Sequence, residues 1–299
     1  VLAANAAVPA YMRAYADPRV IEVMTAARNY RKIAPEIKFG DMATAFAQFR
    51  SLEFTGNTTP YGDYDGNGVA GVNTAFPVRE QYLFQTTIKV GDLEQTMNAA
   101  ANIDLYAEKQ RSAALTLDID FNRFALYGVA GKSIYGLLND PNLNTAVSPE
   151  TVSSSTDWDG KNCDQQMIDI NKLYKALVGQ AGGHIDDTTE LLMLVSPQSM
   201  ADLNKRNSYG ISTKEMVKDT FPNMEIVVVP ELHNTSTGDT MIIMAKEIMG
   251  QPVVEFGYTE KYHAHAPVRQ LSSVEQKVSA GTYGAIVYFP FAIATMTGI

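Results

Sequence analysis

The sequence predicts an α+β protein, and three stretches with different periodicities lead to that prediction. Residues 102–127 carry apolar side chains at helical spacing. Residues 78–90 alternate between apolar and polar side chains, which is typical of a β-strand with one buried face. From Asp164 onward, short apolar strands alternate with helical patterns. With 299 residues, of which 45% are hydrophobic, the chain is long enough to build a large core from these elements.

Residues 1–38 are predicted to form a cationic arm. Asp17-Pro18 is a favourable helix start, because the carboxylate can cap a helix and proline fits its first turn. Val20 and Val23 then lie on one apolar face. Six Lys and Arg residues outnumber three Asp and Glu residues in the arm, although the whole chain has a net charge of −9. We interpret the arm either as a solvated helix or as a segment that contacts an acidic partner.

Residues 45–90 are predicted to form a long β-hairpin. The alternation from Val78 to Val90 predicts a strand of about 43 Å. Ala45–Phe54 is its predicted partner strand, and the glycine-rich segment Gly56–Asn73 is the predicted tip. Because a two-stranded ribbon is only marginally stable alone, we expect this hairpin to pack against another surface.

The predicted tip contains a motif that resembles the start of a calcium loop. Asp63, Asp65 and Asn67 place three oxygen-bearing side chains at alternate positions, which suits a hard cation. Thr74 occupies the twelfth position, where a calcium loop has a bidentate Glu. The motif therefore favours a polar turn, and a weak calcium site stays an alternative.

The helical pattern over 102–127 predicts a helix about 39 Å long. Asn102 can cap its start, and Gly128 is well placed to end it. The apolar residues of the pattern form a central line with a second group alongside it. The line consists of Leu105, Leu115, Ile119 and Leu126, and the group alongside it includes Leu117, Phe121 and Phe124.

The second half of the chain predicts a compact α/β layer followed by further strands. Ser196-Pro197 is a predicted helix start, and Ser212 with Glu215 forms a capping box. The predicted strands are Leu191–Val195, Ile226–Val229, Met241–Ala245, Val253–Phe256, Val268–Val278 and Tyr283–Thr295.

The sequence predicts no catalytic, cofactor or metal site. His263 and His265 would place two imidazoles on one side of an extended segment, but no third ligand is identifiable. A metal hydrolase built on this pair is therefore only an alternative. The lone Cys163 excludes an internal disulfide and has no identifiable base beside it. The acidic net charge argues against a nucleic-acid reader, and no apolar run approaches the length of a membrane span.

The most specific motif lies at the end of the long helix. Tyr127-Gly128 closes the helix, and after a short polar turn the chain continues as Gly136-Leu137-Leu138-Asn139-Asp140-Pro141. This combination resembles the major capsid proteins of tailed bacteriophages. These proteins share the Hong Kong ninety-seven-type fold with encapsulin compartments. The flanking segments also follow the order of that family over nearly the whole chain.

The resemblance implies a division into an arm, a peripheral domain and an axial domain. The peripheral domain would include an extended loop, which lies across an adjacent subunit in the family, and a spine helix. The implied boundaries are 1–38 for the arm, 39–143 and 253–299 for the peripheral domain with loop 51–80 and helix 102–127, and 144–252 for the axial domain.

The resemblance also implies a function. The chain would be a non-enzymatic major capsid protein that self-assembles, through pentamers and hexamers, into an icosahedral virion head around double-stranded DNA. Assembly would take place in the host cytoplasm, with scaffold, decoration or portal proteins as further partners and without a membrane or a cofactor. The arm could then also lie near packaged DNA. The candidate residues for contacts between subunits are Val20, Val23, Tyr61, Tyr64, Tyr82, Phe84 and Ile88. The alternatives are an encapsulin-like compartment and, in another class, a calcium-dependent extracellular binding module.

Overall fold

The computed structural model describes residues 28–64, 66–100, 104–152, 155–235 and 238–299. Val20, Val23, Asp65 and Asn102, which the sequence singled out, lie outside these ranges. Within them the helices are α1 (Tyr30–Ile33), α2 (Asp92–Ala100), α3 (Leu105–Tyr127), α4 (Cys163–Ala181), α5 (Pro197–Asp202) and α6 (Thr213–Thr220).

The strands fall into two main sheets and a set of short ribbons. In chain order they are β1 (Glu36–Lys38), β2 (Phe46–Gln48), β3 (Ser51–Asn57), β4 (Val69–Ala75), β5 (Val78–Glu80), β6 (Tyr82–Gly91), β7 (Leu191–Val195), β8 (Met224–Val228), β9 (Thr240–Ala245), β10 (Glu247–Ile248), β11 (Gln251–Pro252), β12 (Val254–Ala264), β13 (Val268–Arg269), β14 (Ser273–Val287) and β15 (Ile293–Thr297).

The first sheet is organised around the 15-residue strand β14. Antiparallel β6 pairs with one edge of β14, and antiparallel β12 and β13 pair with the other edge. The short strand β1 adds to β12 in parallel. Helix α3 covers one face of this sheet, where the rings of Phe84 and Phe121 meet edge to face with centroids 5.1 Å apart. The even-numbered apolar residues of β6 point toward this helix, as the alternation predicts.

The predicted hairpin over 45–90 is wrong in its extent. The strand is interrupted at Gln81, so that β5 and β6 are separate strands with different partners. β5 pairs with β2, and β4 pairs with β3. These two pairs together form a hairpin over residues 46–80. β6 instead pairs with β14, about 190 residues later in the chain, because its apolar face is needed to close the core under α3.

Helix α3 starts three residues later than predicted, and it turns a different face to the core. Asp104 caps the helix, because its carboxylate accepts a hydrogen bond from the Ala107 backbone N–H at 3.2 Å. Leu115 and Ile119 are exposed, contrary to the predicted apolar line. Leu117 and Phe121 of the neighbouring group are buried instead, together with Leu126 from the end of the line. The full buried face consists of Ala113, Leu117, Phe121, Asn122, Ala125 and Leu126.

The second sheet has the order β15–β9–β7–β8, in which only the β7–β8 pair is parallel. The predicted strand Leu191–Val195 is confirmed at both ends, and all five of its residues are buried. The predicted capping box is confirmed, since Ser212 and Glu215 bond reciprocally at the start of α6. The last strand, β15, does not join the first sheet but pairs with β9 in the second. One hydrophobic core runs through both sheets.

In the part of the chain that the structure describes, no helix is long and apolar enough to cross a bilayer.

Candidate assembly site

The hairpin formed by β3 and β4 projects from the body without cover. Among the described residues, these two strands pair only with each other. Every residue of β4 is exposed, and the Phe54 side chain on β3 is 81% exposed. At the tip, Tyr61 is 92% exposed and Tyr64 is fully exposed. A surface this apolar on a narrow ribbon is typical of a segment that packs against another chain.

The predicted contact residues therefore separate into two groups. Tyr61 and Tyr64 lie on the free tip and stay candidates for contact with another subunit. Phe84 and Ile88 lie in the core of their own chain, where their side chains are only 8% and 4% exposed. Tyr82 is partly buried beside them, with its ring stacked on that of Phe84.

The root of the hairpin is attached to the body by a buried ion pair. The Arg79 guanidinium, in the middle of β5, lies 2.7 Å from Asp140 Oδ2. The Asp140 side chain is fully buried, and its other oxygen accepts a hydrogen bond from the Asn142 N–H at 3.0 Å. The guanidinium also lies over the Tyr135 ring, 4.7 Å from its centroid. Nothing local in the sequence marks Arg79 and Asp140 as partners, and the sequence reasoning missed both.

The glycine-leucine-leucine-asparagine motif completes the C-terminus of α3. The last four carbonyl groups of a helix have no partner within the helix. Here Gly128 N–H bonds to the Phe124 carbonyl, Leu137 N–H to Ala125, and Leu138 N–H to Leu126. The Asn139 side-chain amide donates to the fourth carbonyl, that of Tyr127, at 2.6 Å. The motif is therefore a structural cap, and it places Asp140 directly beside the end of the helix.

Two glycines make this close approach possible. A Cβ atom on Gly136 would lie 2.3 Å from the Leu126 carbonyl group, which is backbone and cannot move aside. Gly128 has a φ of 64°, and a Cβ there would lie 2.4 Å from the Ile134 carbonyl oxygen. These contacts explain why glycine occupies both position 128 and position 136.

The same end of α3 is bonded to the second sheet layer. Tyr127 donates its hydroxyl proton to the Glu231 backbone carbonyl at 2.5 Å, and the Asn122 amide donates to the Glu231 carboxylate. The cap, the hairpin root and the second sheet layer therefore meet at the C-terminal end of α3.

The described part of the arm is held on α3 by charge. Arg28 and Arg31 lie 2.7 Å and 2.6 Å from the two oxygens of Asp118. The acidic partner of these arginines is thus in the same chain. Burial alone would raise the pKa of the adjacent Glu36, but hydrogen bonds from Lys261 and Tyr30 outweigh it and hold that pKa below its ordinary value.

The two histidines of the alternative metal hydrolase lie side by side in the structure. The rings of His263 and His265 are neighbours, with centroids 4.7 Å apart, and His265 bonds to the Ser279 hydroxyl. Across the residues with described positions, no three His, Cys, Asp or Glu side chains come together as a metal site would need. Cys163 is buried, and its thiol donates to the Lys205 carbonyl.

Solved structures that resemble this chain include a phage capsid, a protein of a second phage and a virus-like particle. The capsid protein of Myoviridae phage XM1 superposes with a TM-score of 0.82 at 12% identity, covering 97% of this chain and 98% of that one. The protein of Mycobacterium phage Bobi gives 0.61 at 13% identity, covering 95% and 94%. The virus-like particle from Pyrococcus furiosus gives 0.55 at 16% identity, covering 89% and 90%. Identities this low show a shared fold, which is the predicted Hong Kong ninety-seven-type fold.

The sequence itself identifies the family. No curated protein sequence matches the chain. The family described as the Pa193 gp26 major capsid protein matches residues 1–298, which is nearly the full length. The chain therefore belongs to the Pa193 gp26 family of phage major capsid proteins, and it is a structural, non-enzymatic subunit of the shell of the virion head.

Proposed function

We propose that this protein forms pentamers and hexamers of an icosahedral head, and that the hairpin over 51–75 of each copy lies across an adjacent copy. The observation that supports this proposal is the uncovered hairpin. Its apolar side chains, including Phe54, Tyr61 and Tyr64, have no partner surface among the residues of the chain that the structure describes. Burying such side chains between subunits contributes about 25 cal/mol for each Å² removed from water.

The proposed domains follow the two sheets. The first sheet with α3 and the hairpin is the peripheral domain, and the second sheet with α4 is the axial domain. Strand β15 belongs to the second of these by its pairing with β9. Loops of the axial domains would then meet at the centre of each pentamer or hexamer.

The proposed cargo of the shell is double-stranded DNA, bound without sequence-specific contacts. The net charge of −9 supports a lining with few basic patches, from which packaged DNA can slide and leave. Scaffold, decoration and portal proteins are the further partners that this function implies. Particles purified from infected cells should contain a genome. An encapsulin-like compartment would contain a cargo enzyme instead.

The hairpin contact is tested by changing the two tip tyrosines. Tyr61→Ser with Tyr64→Ser removes both rings from the contact, whereas Tyr61→Phe with Tyr64→Phe keeps them and serves as the matched control. We expect the serine variant to raise the critical concentration of assembly by about tenfold or more, since about 1.4 kcal/mol per contact corresponds to that factor. The phenylalanine variant should assemble like the unchanged protein.

Light scattering measures the critical concentration, and electron microscopy counts the rings of five and six subunits. If the serine variant assembles at the unchanged concentration, the proposed contact is wrong. Hydrogen exchange gives an independent measurement, because the amides of β3 and β4 should become protected only in the assembled shell.

A further inference from the structure

We propose that the ion pair between Arg79 and Asp140, the root ion pair, sets the direction in which the hairpin leaves the body and thereby the geometry of the assembled shell. The proposal rests on the proposed function of the hairpin, and it assigns a positioning role to two residues that do not themselves touch a neighbouring copy.

The root ion pair is rigid because both of its members are held on several sides. Asp140 is fixed through both carboxylate oxygens, one by Arg79 and the other by the Asn142 N–H. Arg79 is fixed by its carboxylate bond, by the Tyr135 ring below it, and by its place opposite Ala47 in the β2–β5 pair. A planar guanidinium held in this way keeps one orientation, which a lysine would not.

The Tyr283 hydroxyl also donates to the Thr44 carbonyl at 3.1 Å, just before β2. Two further contacts at the root restrain the direction of the hairpin less strongly than the root ion pair does. The ion pair between Lys132 and Glu80 spans 3.8 Å, and both side chains are about two-fifths exposed, so that solvent screens it. Phe49 packs edge to face on Phe39 and Tyr288, with centroids 5.3 Å and 6.3 Å away. Apolar contacts of this kind are not directional, and they permit the ribbon to rotate.

The outer part of the hairpin is joined to this root through a break in both strands. The pairing Gln48↔Val78 ends the root ribbon, and the pairing Ser51↔Ala75 starts the outer ribbon. Two residues separate them on each strand, and Pro77 on one strand cannot donate a ladder hydrogen bond. Within this interval the Phe49 N–H still donates to the Pro77 carbonyl at 3.0 Å, so that the outer ribbon follows the orientation of the root.

A small change at the root has a large effect at the tip. The seven residues of β3 span about 23 Å at about 3.3 Å per residue, so that a rotation of about 10° at the root moves its far end by roughly 4 Å. A displacement of that size exceeds what close-packed contacts between subunits can absorb. Because Asp140 directly follows the cap on α3, the direction of the hairpin is fixed relative to that helix.

The experiment removes the root ion pair and compares the result with the loss of a second ion pair whose aspartate is equally buried. Asp140→Asn removes the charge that holds Arg79. Asp169→Asn is the matched control, because Asp169 forms a fully buried ion pair with Lys161 in the α4 region, away from the hairpin. Each variant carries nitroxide labels at Thr58→Cys on the hairpin and Ser112→Cys on α3, and pulsed dipolar spectroscopy measures the distance between them in unassembled subunits.

We expect the unchanged protein and the Asp169→Asn variant to give one narrow distance distribution, and the Asp140→Asn variant to lose it. Assembled Asp140→Asn particles should then show mixed diameters or open sheets in electron micrographs. Arg79→Lys, which keeps the charge but loses the planar fork, should give a milder form of the same loss. If Asp140→Asn fails to fold, the Arg79→Lys variant still tests the proposal.

Two results would overturn the proposal. One is a narrow, unshifted distribution and unchanged particle diameters in the variants of the root ion pair. The other is an equal loss in Asp169→Asn, which would indicate a general effect of buried charge. Either result leaves the proposed hairpin contact standing if the variant with Tyr61→Ser and Tyr64→Ser still shows a raised critical concentration of assembly, so the two proposals fail separately.

Discussion

The hairpin strands β3 and β4 and the strand β6 lie close together in the sequence, and they differ in what covers their apolar side chains. β6 places Phe84, Ile88 and Val90 under helix α3, where the core of the same chain covers them. β3 and β4 present Phe54, Val69 and Val72 to solvent. A period-two pattern therefore shows that a strand has an apolar face. It does not show whether that face is covered by the same chain or by another subunit.

The largest expected effect is on the covered strand. Phe84→Ala should lower the free energy of unfolding of the isolated subunit by about 3–5 kcal/mol, because it leaves a cavity among the rings of Phe121 and Phe124. Leu83→Ala, one residue earlier and 46% exposed on the other face, is the control and should cost less than about 1 kcal/mol. Equal losses in urea denaturation would contradict the assignment of the two faces.

A smaller effect is expected at the cap of α3. Asn139→Ala removes the side chain that accepts from the Gly136 N–H at 2.7 Å and donates to the Tyr127 carbonyl. We expect a loss of about 1–3 kcal/mol in the free energy of unfolding, since both backbone groups lose a partner. Asn142→Ala changes an exposed asparagine three residues later and should stay within about 0.5 kcal/mol. Thermal melts of both variants that coincide would contradict the role of the motif as a cap.

Acid should weaken the body of the subunit through Asp239. Burial alone would raise the pKa of Asp239, but hydrogen bonds from Ser196, His233, Asn234 and Ser199 outweigh it and hold that pKa below its ordinary value. A depressed pKa means that this carboxylate stabilises the fold above its unfolded pKa of about 3.9, and that the contribution is lost as pH falls through the folded value.

Urea titrations followed by the fluorescence of the buried Trp158 measure this dependence. The free energy of unfolding should fall more steeply below about pH 4 in the unchanged protein than in Asp239→Asn. Identical slopes would show that Asp239 does not contribute to acid sensitivity.

The smallest effect on stability is expected on the uncovered hairpin. Phe54→Ser should change the free energy of unfolding of the isolated subunit by no more than about 0.5 kcal/mol, because the ring already faces water. The same change should weaken assembly in light-scattering experiments. A large loss of stability in the isolated subunit would mean that the hairpin packs on its own body.

Local signals made much of the fold predictable. The strand Leu191–Val195, the capping box of Ser212 and Glu215 and the end of α3 at Tyr127 depend on neighbours within a few residues. The partner of β6 did not follow from the sequence, because β14 lies about 190 residues away and many strands have a matching apolar face.

The buried face of α3 and the root ion pair could not be predicted from the sequence, for related reasons. Leu115 and Leu117 belong to adjacent apolar lines of one helix, and only the sheet beneath decides which line is covered. Arg79 and Asp140 are 61 residues apart and carry no local pattern. The exposed tyrosines of the tip were predictable as polar-turn neighbours, but their role in contacts between subunits stays a prediction.

The cap of α3 should also respond little to ionic strength. A helix C-terminus carries a partial negative charge, which proteins often balance with a lysine or an arginine. Here uncharged amide groups from Gly128, Leu137, Leu138 and Asn139 bond to the terminal carbonyls. Mobile ions screen solvent-accessible charge pairs such as Lys89 with Glu275, but they weaken hydrogen bonds between neutral groups very little. The cap should therefore keep its geometry from dilute buffer to molar salt.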